Sequence, residues 1–214
     1  MAETRITPSL LALALFYGGM VTIAGVLGAK QVAIGPLAVE AGIFPFLMLV
    51  GISSAVAEIH GKSVADRFVR LGFAPLMGAI LLTLFVLNLP TDPQMYEPAK
   101  DAFPIILGQS WRMMAAGILA YGVSVTLNIW IFDKLRGHGA GRMAALRGFV
   151  AAALSQVVDT LIFITVSFLG ERPILGLMAG QMLAKVVLSA VMVPAIIWIV
   201  VRLARRMDVP QKGL

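Results

Sequence analysis

Long apolar runs separated by short charged clusters set the pattern of this chain. Six runs of roughly 17–25 residues are long and apolar enough to cross a bilayer as helices. They fall at about 8–28, 42–60, 68–89, 111–132, 146–169 and 174–201. The first run holds its hydrophobicity from Leu10 to Leu27, lacks a small-residue cleavage pattern and is followed by further spans, so it is read as a membrane helix rather than a signal peptide. The expected fold class is an all-α integral membrane protein with six transmembrane helices, one polytopic domain over residues 1–214.

Two connections depart from this rhythm. Between Gly28 and Ala41, Val32, Ile34, Leu37 and Val39 alternate around Gly35-Pro36, with Lys30 and Glu40 at the ends. Period-two alternation about a Gly-Pro turn predicts a short hairpin between the first and second helices. Non-helical backbone near a membrane needs protein or a wet cavity to satisfy its polar groups. Between Pro90 and Ser110 lie four prolines and the acids Asp92, Glu97 and Asp101, which predict an outer loop with an interfacial turn at Phe103 to Leu107.

Composition agrees with the pattern. With 59% hydrophobic and 13% charged residues and a mean hydropathy of +0.93, a soluble fold is excluded. The net charge of +6 could suggest nucleic acid, but the basic residues sit between spans rather than on one soluble face. No nucleic-acid partner is expected; the charge serves topology and contact with the lipid bilayer. Arg5, the clusters Lys62, Arg67, Arg70 and Lys134, Arg136, Arg142, Arg147, and Arg202, Arg205, Arg206, Lys212 would place twelve basic residues on one side. Only four, Lys30, Lys100, Arg112 and Arg172, would lie on the other. The positive-inside rule then puts both termini in the cytoplasm.

Several chemistries drop out. The absence of cysteine removes disulfides, thiolate metal sites and cysteine nucleophiles, and two histidines make a zinc site a poor expectation. Gly61-Lys62-Ser63 resembles the end of a phosphate-binding loop, but such a loop needs a glycine where Val56 stands and a preceding strand. Gly137, Gly139 and Gly141 lack the context of a dinucleotide site, and Gly176-x-x-x-Gly180 is a common membrane-helix spacing. Neither a cofactor nor a catalytic group is expected.

The polar residues inside the spans carry the remaining information. Asp159 stands twelve residues from both Arg147 and Glu171, which puts its carboxyl ~18 Å from either charged end at ~1.5 Å per residue. Burying an acid there costs of order 2.5–3.5 kcal/mol on insertion scales, so it should face a polar cavity or a partner. Lys185, twelve residues beyond Pro173, reaches a comparable depth in the sixth span, with Gln181 one turn away on its face. Asp159 and Lys185 therefore either pin two helices as an ion pair or serve a ligand's donor and acceptor edges. Ser124, Asn128 and Phe132 repeat the spacing of Ser155, Asp159 and Phe163. In antiparallel neighbours this sets Ser124 near the depth of Asp159, and Asn128 near that of Ser155. Glu58 is expected either to pair with Lys62 or Arg67 or to serve a site, and Arg112 to anchor an interface beside Trp111. Tyr121, Asn128 and Gln156 are candidates for pocket lining or for interhelical hydrogen bonds.

From about Leu27 to Pro194 the chain resembles the VUT family of six-helix membrane proteins, vitamin-uptake transporters whose best-known members carry queuosine precursors. The resemblance rests on LGAKQVAIGPLAVEAGIFPF, AVAEIHGKSVADR, RMMAAGILAYGVS, SQVVDTLIF and the Lys185 to Pro194 spacing. It implies an importer of a 7-deazaguanine base, 7-cyano-7-deazaguanine or its aminomethyl counterpart, in the cell inner membrane. Glu58, Gln156, Asp159 and Lys185 stand on family motif positions, and Asn128 and Gln181 join them as expected substrate contacts. The chain departs from the family at Ser54, where an acid is common, and at Val125 and Asn128, where a glutamine and an acid are common. A site with fewer acids could take another base or another coupling ion. Two further functions stay open. One is a substrate-binding membrane subunit of a vitamin or nucleobase uptake system that needs a separate ATPase; the other, less supported, is an intramembrane enzyme using Asp159, and a homo-oligomer is compatible with each reading.

Overall fold

A computed structural model of the chain describes residues 7–35, 37–108, 111–135, 144–170 and 174–208. Arg5, Arg136, Arg142, Arg172 and Lys212, counted above for topology, lie outside these residues, as do the inner-loop glycines and the side chains of Trp111 and Arg112.

The first helix, α1 (Pro8–Gly28), starts where the Thr7 side chain accepts the Leu10 N–H and Pro8 occupies the first turn. It buries only Ser9, Tyr17 and Val21, as a helix with most of its surface in lipid would. The expected hairpin follows: β1 (Gln31–Ile34) pairs antiparallel with β2 (Leu37–Glu40) in the register Gln31 with Glu40 through Ile34 with Leu37. Gly35, at φ 58°, makes the turn in a region open to glycine. Helix α2 (Ile43–His60) is the centre of the bundle, with two thirds of its most apolar window buried. Around it stand α1, α3 (Lys62–Leu87), α5 (Trp111–Lys134), α6 (Ala144–Phe168) and α7 (Leu175–Met207). The six long helices are apolar and long enough to span, so this is an all-α, multi-pass membrane protein.

Three boundaries differ from the expected ones. Helix α3 begins at Lys62 rather than 68, carrying Arg67 and Arg70 on helix instead of loop. The Lys62–Asp66 ion pair one turn apart supports those turns, and 26 residues exceed the hydrocarbon, leaving them among headgroups. Helix α7 runs to Met207, past 201, with Arg205 and Arg206 at the end its dipole favours. The outer connection holds a full helix, α4 (Glu97–Leu107), in place of a single turn: Pro at its start and Glu97 in its first turn are helix-starting signals. It buries no residue, so it lies against the bundle rim.

The core runs through Leu47, Val50, Ile52, Val125, Ile129, Ala151, Ala152, Val193 and Ile197 on four helices. Its closest approaches are at glycine. A methyl on Gly51 would fall 2.5 Å from Ile196 Cγ2, and one on Gly148 would fall 2.2 Å from Ile197 Cδ1.

Candidate functional site

The polar side chains of α6 face inward, while Leu146, Leu154 and Leu161 make up its exposed face. Asp159 is 6% exposed and makes two bonds. Lys185 Nζ of α7 donates to its Oδ2 at 2.9 Å, and Ser124 Oγ of α5 donates to its Oδ1 at 3.0 Å. Ser124 therefore meets Asp159 at the depth the inverted spacing predicts. Asn128, one turn further along α5, donates to Ser54 Oγ of α2 at 3.0 Å and to the Val50 carbonyl at 3.5 Å.

Asp159 and Lys185 also line a cavity of about 250 Å³, small enough for one compact ligand. Its walls come from α1 (Val21, Gly25), α2 (Phe46, Leu49), α3 (Leu76, Thr83), α5 (Gly117, Tyr121) and α6 (Phe163), and Glu40 of the hairpin reaches it. Every contributing segment lies in the half away from the basic ends of α5 and α7, so the cavity sits in that half of the bundle. Gln181 sits a turn outward, its Nε2 3.5 Å from Glu40 Oε1. Beneath the cavity Tyr17 and Tyr121 join hydroxyls at 2.8 Å, and Phe73 stacks edge-on to Tyr121 at 5.0 Å.

Of the six expected contacts, the structure brings Asp159 and Lys185 together in the cavity and Gln181 beside Glu40. Asn128 and Gln156, both fully buried, and Glu58 lie below it and are not among its lining residues. Glu58 pairs with neither Lys62 nor Arg67. Its Oε2 accepts Arg147 Nη2 at 2.8 Å, while Lys62 is taken by Asp66. The reason is helical: Lys62 starts a new helix after the break at Gly61, and Arg147 on α6 faces the bundle. From sequence Glu40 stands out only as a hairpin end, and nothing in the pattern singles out Tyr17 or Arg147 as site residues. The period-two pattern ending at Glu40 was the available signal for the first.

A carboxylate with two donors still has lone pairs to offer, and an ammonium with one acceptor still has protons. Both can take a ligand without breaking their own bond. Among the described residues no group of three His, Asp or Glu side chains could hold a metal ion.

Residues 40–199 match the family described as "Putative vitamin uptake transporter". A protein of Bacillus subtilis (strain 168) named "Probable queuosine precursor transporter" is 31% identical over 117 residues, covering 54% of this chain and 50% of that one. The chain thus spans about half the length of this relative. No solved structure matches.

Proposed function

This chain belongs to the putative vitamin uptake transporter family, and from that premise we propose that it imports a queuosine precursor across the cell inner membrane. The family makes it a transporter; the cargo is our reading. We take that cargo to be 7-cyano-7-deazaguanine or 7-aminomethyl-7-deazaguanine, in keeping with the name of the Bacillus relative.

The observation that carries the reading is Asp159 beside Lys185, 2.9 Å apart in a small cavity that also has two phenylalanines, Phe46 and Phe163. A guanine-like edge offers N–H donors to a carboxylate and a carbonyl oxygen to an ammonium. Aromatic side chains suit the faces of a flat heterocycle. Gln181 and Glu40 extend the polar side of the cavity outward. Facilitated diffusion or proton coupling through Asp159 fits the chain, which has no nucleotide-binding loop of its own.

The test is genetic and direct. A strain unable to make the precursor is given it at low concentration, and queuosine is measured in its transfer RNA. Restoration by this protein is expected; failure where a known importer succeeds refutes the substrate. Reconstitution separates the subunit alternative, because uptake into vesicles by the purified chain excludes an obligatory ATPase partner.

A further inference from the structure

The cavity ends at Asp159, yet polar side chains continue toward the basic end of the bundle. Three helices carry them in rows four residues apart: Val50, Ser54 and Glu58 on α2, Ser124, Asn128 and Phe132 on α5, and Asp159, Ser155, Ala151 and Arg147 on α6. Cross-helix bonds join these rows at three levels. Ser124 meets Asp159 at 3.0 Å, Asn128 meets Ser54 at 3.0 Å, and Arg147 meets Glu58 at 2.8 Å. At the last level the Arg147 guanidinium also lies 5.1 Å from the centre of the Phe132 ring.

This column is buried but poorly satisfied. Asn128 Oδ1 and Arg147 Nε and Nη1, and on the adjoining row of α6 both amide atoms of Gln156 and Thr160 Oγ1, are buried without a hydrogen-bond partner among the described residues. Such atoms are rare in a finished core, because each has given up water for nothing. An arginine 4% exposed with most of its donors idle is a costlier case still. The small side chains beside them, Ala151, Ala152 and Ser155, allow helices to part without leaving a large residue stranded. A surface that is polar, buried and lined by small residues fits a path that is closed in this state and open in another.

We infer that this column is the closed inner half of the substrate route, and that the Arg147–Glu58 pair, with Phe132, is the gate at its basic end. The structure is then the outward-open state. A polar heterocycle leaving Asp159 and Lys185 passes Asn128 and Gln156, whose idle donors and acceptors hold it or its water. Opening requires Arg147 and Glu58 to separate, each taking water or charged partners at the headgroup level. The inference rests on the import reading for its direction of travel.

The cysteine-free chain makes the test clean. In Ala151→Cys, a membrane-impermeant maleimide applied from the basic side labels slowly while the gate is shut. Adding Arg147→Gln shifts the population toward the open form and speeds labelling about tenfold or more; the charge swap Glu58→Arg/Arg147→Glu returns it toward the slow rate. In vesicles, Glu58→Cys/Arg147→Cys bridged by a reducible bifunctional thiosulfonate still binds labelled 7-cyano-7-deazaguanine from the outer face but does not release it inside, and reductant restores uptake. Unchanged labelling in Arg147→Gln, or uptake by the bridged protein, overturns the gate. If Arg147→Gln does not fold, the bridged protein decides, since the link forms after folding. Should the unmodified protein neither bind nor transport the base, the substrate reading fails, while the labelling result still decides the gate.

Discussion

Asp159 answers differently to the roles of helix pin and ligand contact. Asp159→Asn leaves the buried Lys185 ammonium without its partner, a loss of about 3–5 kcal/mol for pairs of this kind. Asp159→Asn/Lys185→Gln removes both charges and should recover most of that loss, as measured by melting in detergent. Ligand at a hundred times its Kd stabilises a binding protein by about 2.7 kcal/mol. The double variant should lose that response to 7-cyano-7-deazaguanine; a stable double variant that keeps it reduces the pair to a pin. Asp208 supports a second test, outside the spans. Partial desolvation at the helix ends pushes its carboxyl up, but donation from Ser9 Oγ, the Ser9 N–H and Thr7 outweighs this and holds it below the ordinary 3.8. A depressed carboxyl contributes stability that is complete above its unfolded value and is lost as pH falls through its folded one. The melting difference between wild type and Asp208→Asn should therefore persist at neutral pH and vanish well below pH 3.8. Asp159 was legible in the sequence because an acid in an apolar run is expensive. The partner of Glu58 was not, since nearness along the chain favours Lys62 over a residue 89 positions away.

Between elements, the helix contacts that matter were the hardest to read. Gly176 and Gly180 have the familiar small-residue spacing, yet a Cβ on either would meet nothing within 4 Å. Gly51 and Gly148 carry no motif, and both sit against α7. What they touch depends on how the helices rotate and cross, which local pattern does not encode. The hairpin and the six spans were legible because period and length alone specify them; the ends of α3 and α7 were not, since charged turns can continue a helix into the headgroups. The two glycines should also differ in cost. Alanine at Gly51 meets Ile196 at Cγ2, 2.5 Å, and at Cβ, 2.8 Å, so the helix itself must move. Alanine at Gly148 meets chiefly the Cδ1 end of Ile197, which a rotamer change can relieve. Overpacking typically costs about 1–3 kcal/mol. Gly51→Ala should lie at or above the top of that range and Gly148→Ala near the bottom. The reverse order in thermal melts would contradict the α2 to α7 spacing.

At the scale of the whole molecule, one asymmetry ties fold to transport: the cavity lies in one half, and the basic residues cluster at the end of the other. From the basic residues of α3, α5 and α7 the positive-inside rule predicts a cytoplasmic charged end. With that end inside, the cavity half would face outward, the orientation the proposed import requires. Thr83, on the cavity wall in the outer part of α3, reports it. In the cysteine-free background, Thr83→Cys in sealed vesicles should react with an impermeant maleimide only from the face opposite the basic ends. The rate should fall when 7-cyano-7-deazaguanine occupies the cavity, because ligand and reagent compete for about 250 Å³. Protection by that base but not by an unrelated vitamin ties the cavity to the cargo, whereas equal labelling from both faces would mean that the resting protein is not outward-open. Labelling only from the basic side would mean that the cavity opens toward that side, and the resting protein would then be inward-open.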